Sequence, residues 1–174
     1  SPFAPSFIAL DKRTGKLAGE DDAGIGPRIY HGQWTSPSAG QVAGKWQIYC
    51  GGGDGWLYAL DATPKPGEGD AAFLKTVWKF DCNPKNTLYT LTRATRNHLI
   101  AIPVVYDGLV YIAVGEDPEH GDGQGHLWCI DPTKRGDVSS ELAVDKDGKE
   151  LPHRRLQAVN EKAGTARVTF TVTE

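Results

Sequence analysis

Cysteine is scarce and badly placed for chemistry: Cys50, Cys82 and Cys129 are neither adjacent nor in C-x-x-C spacing. That excludes a disulfide framework, a zinc knuckle and a thioredoxin-like redox pair, and the three are expected to be buried free thiols. A catalytic pairing of one of them with His31 or His98 has no local support in the sequence. Long hydrophobic runs are also missing, since no stretch approaches the roughly 18 apolar residues of a membrane span. Charge of one sign is lacking too: 19 basic against 22 acidic residues leave a net charge of −3. No general attraction to nucleic acid follows from that balance. The one basic stretch, Lys85, Arg93, Arg96 and His98, reads as a solvated connector. Methionine is absent altogether and no signal peptide is visible, so the chain is expected to be a piece of a longer polypeptide.

What the chain has instead is glycine, proline and repetition. With 21 glycines, 11 prolines and 39% hydrophobic residues in short runs, the composition suits an all-β domain. Gly125-His126-Leu127-Trp128-Cys129-Ile130-Asp131 nearly copies Gly55-Trp56-Leu57-Tyr58-Ala59-Leu60-Asp61, and Ser6-Phe7-Ile8-Ala9-Leu10-Asp11 echoes both. A recurring segment implies one supersecondary unit that buries its apolar faces only against copies of itself.

Each copy reads as a proline-bounded entry strand, a tight turn such as Tyr106-Asp107-Gly108, a β-branched strand, a glycine-rich turn, and a strand ending in aspartate. Lys75 to Phe80 supplies a fourth strand. Four short antiparallel strands per unit predict a partial β-propeller of about two to three blades. The end of one blade is expected over 1–20, a whole blade over 34–80 and most of another over 98–138. Asp11, Asp61 and Asp131 stand 50 and 70 residues apart, more than the roughly 40–50 of many blades. The excess is assigned to loops at Thr63–Asp70, at Asp81–Asn97 and at Glu116–Gln124. The first of these is expected to carry no ladder, because of its prolines and glycines.

These residues resemble a known family. Ala9-Leu10-Asp11-Lys12-Arg13-Thr14-Gly15-Lys16 is similar to the Ala-x-Asp-x-x-Thr-Gly-Lys stretch of pyrroloquinoline quinone (PQQ)-type repeats, found in quinoprotein dehydrogenases and in the assembly lipoprotein of the outer-membrane β-barrel machinery. The likeness covers residues 6 to 137. It assigns structural repeat positions to Ala9, Asp11, Thr14, Gly15, Gly55, Ala59, Asp61, Gly125 and Asp131, and it gives Trp78 the indole that docks between neighbouring blades. Gly19 stands where the first unit would carry that tryptophan, and the third unit has Cys129 in place of the alanine and no matching indole. Apart from the family, an aspartate closing a strand accepts hydrogen bonds from the next turn, and Gly15 can take positive φ.

Two functions follow from the resemblance. The leading one is a non-catalytic scaffold or binding platform in the bacterial envelope, periplasmic or extracellular, whose partners are further blades and a protein or polymer. It needs no cofactor in this chain, no nucleic acid and no membrane span. The alternative is part of a PQQ-dependent, calcium-assisted alcohol or aldose dehydrogenase, whose quinone would draw contacts from several blades. Locally, Glu116 to His126 packs four carboxylates and two imidazoles into eleven residues. Asp117, Glu119, His120 and Asp122 are therefore candidate ligands for a hard cation such as calcium, and a polar hairpin tip accounts for the same composition. Gly51-Gly52-Gly53-Asp54-Gly55 lacks the Lys-Ser/Thr and the helix of a phosphate loop and reads as a tight turn. Residues 139–174 read as a charged loop or tail, with a last strand at 167–172 offered to the final blade.

Overall fold

The computed structural model describes residues 4–29, 31–67, 72–84, 87, 96–115, 125–144 and 169–172. Their regular structure is all strand except for one 3-10 turn at Gly26–Arg28. In chain order the strands are β1 (Ile8–Leu10), β2 (Leu17–Asp21), β3 (Ser38–Val42), β4 (Lys45–Gly51), β5 (Trp56–Asp61), β6 (Lys65–Pro66), β7 (Ala72–Leu74), β8 (Thr76–Asp81), β9 (Val104–Tyr106), β10 (Leu109–Val114), β11 (His126–Ile130), β12 (Gly136–Asp137), β13 (Glu141–Val144) and β14 (Thr169–Val172).

The central sheet is an antiparallel meander, β3-β4-β5-β8, with β12 added in parallel beyond β8. Its first turn places Ala43 at φ 49° and Gly44 at φ 77°, and the β9–β10 turn repeats this with Asp107 at 47° and Gly108 at 75°. Consecutive positive φ values are the type I′ geometry, whose twist matches that of the flanking strands. The later sheet, β9-β10-β11, repeats the register of the central one. Tyr49 faces Ala59 across β4–β5, and Tyr111 faces Cys129 across β10–β11. At the start of the chain, Ala9 faces Gly19 across β1–β2, just as Ala59 faces Trp78 across β5–β8.

A second repeated device joins the sheets. The stretch after Asp61 returns as β7 to run parallel to β2, and the stretch after Asp131 returns as β12 to run parallel to β8. Each outer strand is thus continued by backbone from the unit that follows it. The prolines of the Thr63–Asp70 loop do not prevent a ladder, contrary to expectation: Lys65 and Pro66 form β6 against β7. β6 is an edge strand, where the missing proline N–H costs nothing. The same excursion explains Gly19, because a Cβ there would lie 3.3 Å from the Pro64 ring and 3.5 Å from the Ala72 carbonyl.

β5 is buried on both faces, which is why Trp56 to Leu60 is continuously apolar rather than alternating. On one face Leu57 and Ala59 join Tyr49, Trp78 and Phe80 against Val110, Ile112, Val114 and Ile130 of the later sheet. On the other, Trp56, Tyr58 and Leu60 join Cys50, Leu74 and Ile25, with Phe7 and Ala9 packed against them. Trp78 is fully buried in the first of these seams, tilted against Tyr49 with ring centroids 5.8 Å apart. Its Nε1 donates to Gln47 Oε1 at 3.2 Å, and Gln47 Nε2 donates onward to the Pro132 carbonyl at 3.3 Å. Trp128 Nε1 ties the same seam together by donating to the Cys82 carbonyl at 2.8 Å.

Residues 139–174 depart from the expected tail. Glu141–Val144 is a strand, and β14 pairs antiparallel with it in a separate two-stranded sheet rather than extending β11. Charge-rich sequence around Glu141 masked the Leu-Ala-Val run that supplies the strand. The remainder of that region, including Arg167 and Val168, lies outside the described residues.

Candidate functional site

The strand-ending aspartates sit in turns. Asp11 Oδ1 accepts from the backbone N–H of Arg13 at 3.0 Å and of Thr14 at 2.8 Å, and from the Thr14 hydroxyl at 2.9 Å. Asp61 accepts from Thr63 N, and Asp131 from Thr133 N and Oγ1. These hydrogen bonds favour the charged form, so all three carboxyls are held below their ordinary range. Gly15, at φ 70°, lets the first turn close. The motif residues thus brace one end of the sheets.

At the opposite end, two connectors converge on the Gly51–Gly55 turn. The first runs from β2 to β3, and Arg28 reaches from it into the turn. Its Nε donates to Asp54 Oδ2 at 3.0 Å and its Nη2 to Tyr58 Oη at 2.7 Å, while the Tyr58 hydroxyl donates to Asp54 Oδ2 at 2.6 Å. Burial pushes the Asp54 carboxyl upward against the pull of Arg28, and burial plus Asp54 pushes the Tyr58 phenol well above its usual value. Gln33 and Thr35 then clasp the turn: Gly53 N donates to Gln33 Oε1 at 2.9 Å, and Thr35 Oγ1 donates to the Gly51 carbonyl at 2.8 Å.

The second connector, from β8 to β9, corrects the reading of the basic stretch as solvated. Arg96 is 2% exposed and pairs with Asp81 at 2.6 Å; His98 is 4% exposed. Asn83 Nδ2 donates to the Asn97 carbonyl at 2.8 Å, and Asn97 N returns a bond to Asn83 Oδ1 at 3.0 Å. The physical reason is local. Asp81 ends β8 inside the protein, and a buried carboxylate needs a cation and donors of its own. Lys85 and Arg93 lie outside the described residues.

Where the connectors meet, three rings lie together. Trp34 stacks with His31 at 6.0 Å and lies 6.2 Å from His98, and the two histidines are 6.3 Å apart with planes 20° from parallel. A Cβ at Gly32 would sit 2.8 Å from the Trp34 ring, so only glycine lets the indole lie flat on the chain there. Trp34 is nonetheless exposed. Beside it opens a cleft of about 320 Å³ lined by His98, Ile100, Ala101, Ala113, Val114 and Gly115. Sequence reasoning missed this assembly because its members are 64 to 67 residues apart across the repeat, with no local motif.

The other sequence candidates fall elsewhere. Asp117, Glu119, His120 and Asp122 lie outside the described residues. Among the described residues, no group of three or more His, Cys, Asp or Glu side chains is placed to hold a metal ion, and both buried arginines are engaged with carboxylates. A calcium-and-quinone site therefore finds no fitting set there. Cys50 and Cys82 are buried as expected, but Cys129 is exposed, because it faces away from the central sheet. Burial pushes the Cys50 thiol up to about 12 and Cys82 well above its usual value, the reverse of an activated nucleophile. No helix among the described residues is long and apolar enough to cross a membrane. In comparisons with family models, curated proteins and solved structures, nothing matches this chain.

Proposed function

We propose that the chain is a run of PQQ-type β-propeller blades that acts as a non-catalytic binding platform in the bacterial envelope, gripping an extended protein or polymer partner at the connector end of its sheets. The carrying observation is the exposed Trp34 indole, laid on Gly32, stacked with His31 and backed by His98 beside an apolar cleft. An aromatic held flat contributes large contact area at little entropic cost. The repeated registers and aspartate turns support the blade assignment. The buried carboxylates support the platform, since Asp54 and Asp81 brace connectors instead of facing the cleft.

The test is calorimetric titration of the chain with aromatic-rich β-strand peptides and, separately, with glycan oligomers. Saturable binding to one class is expected, weakened by about tenfold or more in Trp34→Ala, since one buried aromatic contact carries at least ~1.4 kcal/mol. Trp46→Ala removes an indole of nearly the same exposure, 54% against 55%, and should leave binding intact. Equal loss in both variants, or alcohol-dependent dye reduction on addition of PQQ and calcium, overturns the platform reading.

A further inference from the structure

The repeat makes the two terminal faces of the molecule interpretable, because the interior shows what covers the equivalent positions. In the central sheet, Tyr49, Leu57 and Ala59 form one face and are fully buried by Val110, Ile112 and Ile130 of the next sheet. The register makes Tyr111, Leu127 and Cys129 their counterparts in the β9-β10-β11 sheet. That face is open: Leu127 is 75% exposed, and Cys129 and Ala113 are also exposed. The opposite face of the central sheet presents Ile48, Cys50, Tyr58 and Leu60, covered by Phe7 and Ala9 of the first unit. Ile8 and Leu10 are the counterparts of Tyr58 and Leu60 on that first unit, and each is 54% exposed, with Leu17 beside them.

The molecule therefore displays, on its two ends, the two halves of the junction that it makes twice inside itself. Both halves are apolar, and β11 adds an unpaired strand edge among the described residues. We propose that a second copy of this chain covers them head to tail, the Ile8–Leu10–Leu17 face of one copy on the Tyr111–Leu127–Cys129 face of the other. A junction between unlike faces closes into a ring or grows into a fibre, depending on its rotation. Two copies supply six sheets, within the roughly four to eight that close a propeller, so the expected product is a ring of two chains. The proposal deepens the platform reading but is tested apart from it, since it involves neither Trp34 nor any partner.

Sedimentation of the full chain over a range of concentrations should show a species of twice 18.8 kDa. Leu127→Lys and Ile8→Lys, both at exposed positions, should each weaken it by about tenfold or more, because each removes one buried aliphatic side chain from the junction. Mixing the two variants should restore association, since the mixed pair keeps one junction with both faces intact. In the unmodified chain, alkylation of Cys129 should slow as concentration rises, which needs no substitution at all. A monomer at every concentration overturns the proposal. So does a dimer indifferent to Ile8→Lys, which would be a contact between like faces, and so does failure of the mixture to associate.

Discussion

Replacing Trp78 by alanine removes the largest fully buried side chain from the seam between the central and later sheets. Truncating a buried aromatic costs ~3–5 kcal/mol, depending on how far the site collapses. Here collapse is limited, because Tyr49, on the neighbouring strand, and Ile112 and Val110, on the facing sheet, are each held by their own ladders. The substitution also orphans the buried Gln47 Oε1, for which ~1–3 kcal/mol is the ordinary penalty. The sum, about 4–8 kcal/mol, is comparable with the entire ~5–15 kcal/mol stability of a domain, so Trp78→Ala is expected to be largely unfolded at 25 °C. Trp78→Phe isolates the smaller term: it keeps most of the ring, and its deficit should shrink when Gln47→Leu is added, a coupling that a double-mutant cycle in urea measures directly. Trp46→Ala, at an exposed indole, is the control and should stay within about 0.5 kcal/mol. A loss below about 1 kcal/mol for Trp78→Ala would refute the seam as the origin of stability.

Two further outcomes can be checked directly. Thiol titration with an aromatic disulfide under native conditions should modify Cys129 alone at low protein concentration, with Cys50 and Cys82 reacting only on unfolding; rapid modification of three thiols contradicts the packing. In acid, Asp11, Asp61 and Asp131 bind protons less readily folded than unfolded, so the stability they contribute is present above the unfolded value near ~3.9 and is lost as pH falls through their lower folded values. Asp54, held above its ordinary value, acts in the opposite sense, its contribution declining as pH rises from ~3.9 toward its folded value. Urea midpoints measured from pH 5 to pH 2 should therefore fall, and the triple Asp→Asn variant at positions 11, 61 and 131 should flatten that fall.

How much the sequence disclosed depended on the range of the forces involved. The strands around Tyr49, Leu57 and Ile112 were legible because apolar runs and glycine turns are local signals, and so were the aspartate turns, which close within three residues. Arg96 was misread for the same reason. Its partner Asp81 lies 15 residues away, and a cation in a connector gives no sign of being buried until the fold brings a carboxylate to it. Arg28, Asp54 and Tyr58 assemble across 26 to 30 residues and left no motif. Cys129 was assigned to the interior because its strand copies β5, yet β5 has a neighbour on both faces and β11 has one.

The parallel return of β12 onto β8 also bears on how the chain emerges from a ribosome. Trp78 and Lys79 are paired by Gly136 and Asp137, and the Asp81 N–H receives its acceptor from Ser139. The central sheet is therefore translated some 60 residues before its outer border exists. During synthesis at ~5–20 residues per second, that border stays open for several seconds. A nascent-chain chaperone would find its binding window there, and slow codons between residues 82 and 136 would lengthen the interval in which β8 is available to the wrong strand.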